Sequence, residues 1–274
     1  MGTPWEKLLQ QPHPGDHFVQ LYNTEEAALK LNVGHYLWEG LRRGEGSLLI
    51  ATPEHRQIFS RQLELLGAGI PELLSTRQLV LWDVNDTLAE LMVGGQPDWS
   101  LFERTIRTAL RQVQPRGGGE RLRAYGEMVG VLWRARRFAA AIRLEQLWNR
   151  LLEQLPFSLY CAYGIDVFGE EFAVSNLDGV LCTHTHLLPA QPDDTLATAL
   201  YRSMDEILGR EAVPLRARIK ASYRPSWAVM PAAENILLWL RQNLPGQADT
   251  IVQRARDHYH FPSSTYPADA VHSG

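Results

Sequence analysis

The sequence predicts an α/β fold: a mostly parallel central sheet covered by helices on both faces, in three layers, with a further run of helices after it. Three observations predict this. Short, near-continuous apolar segments alternate with amphipathic helical patterns from residue 16 to residue 168, as buried parallel strands and their crossover helices do. Strand-like segments stop near residue 190, and only helical periodicity follows. With 274 residues, 45% of them hydrophobic, the chain is long enough to bury both faces of a sheet.

The first 13 residues read as a polar, Pro-rich lead. "DHFVQLYN" (16–23) is a short strand in which Phe18 and Gln20 alternate with Val19 and Leu21. A helix over about 25–42 follows, with Asn23 or Thr24 as N-cap, acids in its first turn and glycines at its end. "GSLLIAT" (46–52) is an apolar strand. "PEHRQIFSRQLELLGAG" is its helix, started by Pro53 and stopped at Gly67. "QLVLWDVND" (78–86) leads to a helix whose Phe102, Ile106, Ala109 and Leu110 share one face. "RLRAYGEMVGVLW" leads to "FAAAIRLEQLWNRLLEQL", where Leu144, Leu147, Trp148, Leu151, Leu152 and Leu155 keep helical spacing. "FSLYCAYGIDVF" (157–168) is one more strand.

"LLPAQPDD" reads as a linker. Helical patterns then cover about 193–208, 211–221, 229–244 and 247–260. The division expected is therefore 1–13 lead, 14–190 α/β domain, 191–260 helical region and 261–274 tail, the last too poor in apolar residues to order itself.

Composition narrows the function. A net charge of −4 indicates no polyelectrolyte partner. Nucleic acid is not expected either, because acids such as Glu211, Asp249 and Asp257 interrupt the basic set Arg216, Arg218, Arg224, Arg254 and Arg256. Two cysteines make no disulfide framework, and "MGTPWEKLLQ" shows no signal-peptide pattern, so the cytoplasm is the expected compartment. No apolar run reaches the roughly 20 residues that span a bilayer, so no membrane partner is expected.

In a parallel sheet the functional edge is the carboxyl end of the strands. That edge should carry Thr52 to His55, Asp83 to Asp86, Gly126 and Glu127, and Tyr163 to Asp166. Glu127 stands out, because a buried carboxylate is costly without a partner.

Taken in order, "DHFVQLYN", "GEGSLLIATPEHR", "LRAYGEMVGVLW", "LEQLWN" and "FSLYCAYGIDVF" resemble the MEDS family, a sensory domain described on a dichloromethane-responsive repressor and found beside histidine kinases. The resemblance covers roughly residues 14–190. It implies a RecA/KaiC-like three-layer sandwich and a signal-input module that takes a small organic molecule. A signalling protein such as a histidine kinase or a regulator is then the partner, and no resident cofactor or catalytic residue is expected. The phosphate loop of such folds needs glycines, a Lys and a Ser or Thr. The corresponding turn here is "ATPEHRQIF", with no glycine or lysine and with Pro53 removing one donor. The alternative is a KaiC-like ATPase with an atypical phosphate site.

Thr52, His55 and Arg56 gather at a helix N-terminus, whose dipole favours an anion, so nucleotide binding without hydrolysis is a second ligand class. Glu127 either faces a ligand cleft or pairs with an Arg and caps backbone donors at the strand–helix junction. Tyr125 lines the same cleft or packs in the core. Asp83 and Asp86 line it or cap the following turn, and Tyr163 is expected on the same rim. His17 and Tyr22 are candidates for the opposite wall. Glu145, Trp148 and Asn149 share a helix face at i, i+3, i+4 and read as a structural polar lock, with Trp148 packed and Asn149 bonded to backbone. In "CTHTH", a strand would project Cys182, His184 and His186 from one face, a zinc-type geometry needing a fourth ligand from Cys161, His17 or an acid. Cys161 alone reads as a small buried hydrophobe. In the last helices Ile236, Leu237, Leu240 and Leu244 dock on the domain or on a second subunit of a homo-oligomer.

Overall fold

Apolar runs short enough for strands, each followed by an amphipathic helix, build the fold. The computed structural model describes residues 4–22, 26–116, 119–169, 171–190, 195–221 and 230–260. The elements are α1 (Pro4–Gln10), β1 (His17–Tyr22), α2 (Ala27–Arg42), β2 (Gly46–Ala51), α3 (Pro53–Leu65), α4 (Ile70–Ser75), β3 (Leu79–Asp83) and α5 (Val84–Leu91). A short antiparallel pair, β4 (Met92–Val93) and β5 (Gln96–Pro97), precedes α6 (Trp99–Gln112), β6 (Leu122–Gly126), α7 (Met128–Arg134), α8 (Phe138–Leu152) and β7 (Phe157–Gly164). Then come α9 (Val174–Leu181), β8 (His186–Leu188), α10 (Thr195–Leu208), α11 (Ala212–Ala221), α12 (Ala232–Asn243) and α13 (Pro245–His260).

The central sheet runs β3-β2-β6-β7-β1-β8, and every pairing in it is parallel. Each strand is hydrophobic on both faces. Leu48 and Ile50 of β2 join one core with residues of α5 to α8, while Leu49 and Ala51 join another with residues of α2 to α4. The helix after β2 thus packs on one face, and the helices after β6 pack on the other. Adjacent strand ends whose chains leave in opposite directions open a crevice between them, and ligands in such sheets bind there. The neighbouring strands whose chains so diverge here are β2 and β6, which end at Ala51 and Gly126.

The α/β sandwich followed by helices is as the sequence predicts. Corrections are local. The lead contains α1, whose last carbonyls, those of Leu9 and Gln10, accept bonds from the buried Arg123 guanidinium. "GEMVGVLW" turns into α7 directly after Glu127, and the sequence also hides α4 and α9. The N-cap candidates Asn23 and Thr24, residues 191–194 of the linker, Arg224 and the tail 261–274 lie outside the described residues.

The apolar core beneath α8 continues without a break into α10, α12 and α13. Ile236, Leu237 and Leu240 are buried in it. Polar ties reinforce the junction. Arg241 donates to the carbonyls of Phe168, Gly169 and Phe172, just beyond β7, and Glu234 accepts the Ala190 N–H, just beyond β8. Among the described residues no helix is long and apolar enough to cross a membrane.

Candidate functional site

Two clusters of buried titratable side chains stand out, one on each face of the sheet. The first lies at the carboxyl ends of β2 and β6, where the two chains diverge. β2 ends at Ala51, Thr52 caps α3 by accepting the His55 N–H, and Pro53 opens the helix, as its pre-set φ favours. β6 ends at Gly126 and delivers Glu127 beside this helix start. Glu127 is 2% exposed. Its Oε2 accepts the Thr52 N–H at 2.8 Å, and its Oε1 accepts the Tyr125 hydroxyl at 3.0 Å and contacts His55 Nδ1. The other ring nitrogen of His55 reaches Glu26 Oε2 at 3.0 Å. Burial works against a charge on His55, but Glu127 and then Glu26 outweigh it and raise its pKa. Burial, with the Glu127 charge added, pushes the Tyr125 hydroxyl well up.

Around this core the rim is partly open. Arg56 donates to Asp83 Oδ2 at 3.0 Å, while Asp83 Oδ1 caps α5 by accepting the N–H groups of Asn85 and Asp86. Asp86 thus contributes a backbone donor to that cap. Tyr22 lies edge-on to His55 and receives Arg134; burial carries its hydroxyl to about 12. Thr52, His55, Arg56, Asp83, Tyr125 and Glu127 therefore do come together. Glu127 has a histidine where an arginine was considered, and Glu26, which sequence reasoning passed over, completes the set.

Tyr163 does not belong to this cluster. β6 and β7 pair Tyr125 with Tyr160. Since strand side chains alternate, Tyr163 points to the opposite face. There it donates to Glu145 Oε1 at 2.7 Å, within the second cluster.

That cluster joins β1, β7, α8 and the chain after α9. Glu145, His17, Cys161 and His184 offer ligand atoms that all lie within 4.8 Å of one another, and all four residues are buried. His17 Nε2 is 3.3 Å from Cys161 Sγ and 3.4 Å from Glu145 Oε2. His184 Nε2 is 3.2 Å from Glu145 Oε1. Burial works against the Glu145 charge, yet His184 and His17 hold its carboxyl below the usual range. Burial and the neighbouring His184 lower His17. Burial, then Glu145, pushes the Cys161 thiol well up.

The expected one-faced set Cys182, His184 and His186 does not form. Residues 182–185 are not strand: Cys182 caps the end of α9 and is exposed. β8 starts only at His186, which stacks on Phe18 and contacts Asp16. His184 alone of the three turns inward, and it meets His17, Cys161 and an acid, the three sources considered for a fourth ligand. On α8, Trp148 packs against Phe102 and Phe157, and Asn149 donates to the Thr183 carbonyl at 2.8 Å. Glu145, on the same face, belongs to the second cluster, where His17, Tyr163 and His184 surround its carboxylate.

An apolar groove lined by Leu110, Leu122, Pro156 and Phe157 opens at the amino ends of β6 and β7, the opposite end of the sheet from the crevice. No curated protein matches the chain. A family model, the MEthanogen/methylotroph, DcmR Sensory domain (MEDS), matches residues 16–185, a span that holds both clusters and ends before α10.

Proposed function

Since the chain belongs to the MEDS family of sensory domains, we propose that it is a signal-sensing module that receives a small organic molecule, or a segment of a partner, in the crevice between β2 and β6. The observation that carries this reading is the place of Glu127. A helix N-terminus after a buried parallel strand is where RecA-like and KaiC-like folds hold a phosphate. Here the chain's own carboxylate accepts the Thr52 N–H at that position. A triphosphate would have to expel a buried acid, with no lysine on the turn to receive it. The site suits recognition and not phosphoryl transfer, in line with a degenerate phosphate loop.

A ligand that accepts from Thr52 and His55 competes with Glu127. Binding and release then exchange two arrangements of the same donors. A signal needs only a difference in affinity between two states, ordinarily about 1–3 kcal/mol of coupling. The helical region is fastened by Arg241 and Glu234 just beyond the carboxyl ends of β7 and β8, the same edge as the crevice. It is suited to pass the change to a signalling or transcriptional partner.

The test is thermal stability of the full chain titrated with short carboxylates, alcohols, halogenated alkanes and magnesium-ATP. A compound that binds only the folded state raises Tm saturably. A small organic compound should do so in the wild type and with altered affinity in Glu127→Gln. Sustained phosphate release from ATP, abolished by Glu127→Gln, would overturn the sensory reading.

A further inference from the structure

We propose that His17, Glu145, Cys161 and His184 form a closed site for a divalent metal of the zinc class, independent of the crevice and on the opposite face of the sheet. The four side chains supply two imidazoles, one carboxylate and one thiol, a donor set suited to zinc. In a tetrahedral zinc site, metal–ligand distances near 2.0–2.3 Å place the ligand atoms about 3.3–3.8 Å apart. Here His17 Nε2 is 3.3 Å from Cys161 Sγ, Glu145 Oε2 is 3.4 Å from His17 Nε2 and 3.6 Å from Cys161 Sγ, and Glu145 Oε1 is 3.2 Å from His184 Nε2, with all four ligand atoms within 4.8 Å of one another.

The surrounding groups prepare both rings for a metal. His17 Nδ1 is 2.8 Å from Asn149 Oδ1, and His184 Nδ1 is 2.6 Å from the Val180 carbonyl. Each acceptor draws the ring proton to Nδ1 and leaves the Nε2 lone pair pointing inward. A partner on the far nitrogen is the arrangement that orients metal-ligating histidines. Among the described residues the buried His184 Nε2 makes no hydrogen bond: Glu145 Oε1 beside it, at 3.2 Å, is close but not aligned to bond it. Tyr163 holds the carboxylate from behind. Asn149 is itself held by the Thr183 carbonyl, and Thr185 brackets the His17 backbone from both sides.

Charge agrees with geometry. A carboxylate and a thiolate neutralise a divalent ion, so the loaded centre carries no net charge into a dry interior, and the Cys161 proton leaves to solvent as the metal enters. The protein fills all four positions, and the ligands are at most 3% exposed. Such a closed site is structural. It would clamp the chain after α9 to β1 and β7, and so fix β8 at the edge of the sheet.

The test uses the full chain, stripped with chelator under reducing conditions and titrated with Co(II), then Zn(II). The expected result is one ion per chain, with a thiolate-to-cobalt charge-transfer band that Zn(II) abolishes. Cys161→Ser should lose the band, whereas Cys182→Ser, at the exposed cysteine, should keep it. Asn149→Ala should weaken Co(II) binding by about 10–100-fold. X-ray absorption of the zinc-loaded wild type needs no variant to fold, and should show one sulfur among nitrogen and oxygen neighbours. Wild-type chain that takes up no Co(II) or Zn(II), or a metal shell without sulfur, would overturn the assignment.

Discussion

Glu127 and Thr52 meet across the ends of two adjacent parallel strands, and a side-chain carboxylate satisfies a helix N-terminal N–H at 2.8 Å. The bond staples β6 to the start of α3. It also explains how an acid survives in an apolar run: Glu127 is buried but has three partners, Thr52, His55 and Tyr125.

Removing the acid should therefore cost more than a surface substitution. Glu127→Ala leaves the Thr52 N–H, the Tyr125 hydroxyl and the His55 ring without their acceptor, and breaking one side of a buried pair costs about 3–5 kcal/mol. Glu127→Gln keeps an oxygen for Thr52 and should cost less. Urea unfolding of both variants and of His55→Ala, combined as a double-mutant cycle, should give Glu127 and His55 a coupling energy of about 1 kcal/mol or more. Additive effects would mean the pair contributes nothing beyond its parts.

The pH dependence of the same pair has a definite sign. The folded-state pKa of His55 is raised above the ordinary 6.5 by Glu127 and Glu26, against the effect of burial. Its contribution is thus complete below pH 6.5 and is lost as pH rises through the higher folded value. Wild-type stability should fall between pH 6 and pH 9 relative to His55→Asn, measured by urea midpoints in one buffer series. A difference that grows toward high pH would contradict the assignment.

Among the described residues Glu234 has no counter-ion. Burial raises its pKa from the ordinary 4.5 to about 7, partly offset by the Ala190 N–H, and among the described residues its Oε2 has no hydrogen-bond partner. A raised acid weakens the fold as pH climbs from about 4.5 to 7, since charging the folded state becomes ever costlier than charging the unfolded one. A shift of this size corresponds to about 3 kcal/mol. Glu234→Gln should have the wild-type Tm near pH 4 and a higher one at pH 8.

These groups were unequally visible in the sequence. Strands and helices were legible because apolar runs of strand length and amphipathic periodicity are local properties. Thr52, Asp83 and Glu127 were legible as strand ends. The short helix α1 was not, because its few apolar residues carry little periodicity and a distant side chain, Arg123, holds its end. The helix α7 was hidden because Met128, Val129, Leu132 and Trp133 are all apolar and buried, which leaves so short a helix no polar face to show its period. Tyr163 went to the wrong face because the phase of a strand is settled by its register with a neighbour, here Tyr125 against Tyr160. The second cluster draws on positions 17, 145, 161 and 184, and only chain closure over those distances brings it together.

Gly130 carries the last prediction, because α7 can follow Glu127 so tightly only if it lies flat against β7. A Cβ at this position would stand 2.5 Å from the Ala162 carbonyl oxygen, which is backbone in a central strand and cannot swing away. The sequence thus uses glycine within a helix, where it is otherwise unfavourable by about 1 kcal/mol relative to alanine. Gly130→Ala should gain that propensity and lose more through overpacking, typically 1–3 kcal/mol. A net destabilisation is expected by thermal unfolding, with faster amide exchange along α7 as it lifts from the sheet. At Gly246, by contrast, an added Cβ meets nothing within 4 Å. Gly246→Ala in α13 should be neutral or stabilising, so equal Tm changes in the two variants would refute the close-approach explanation.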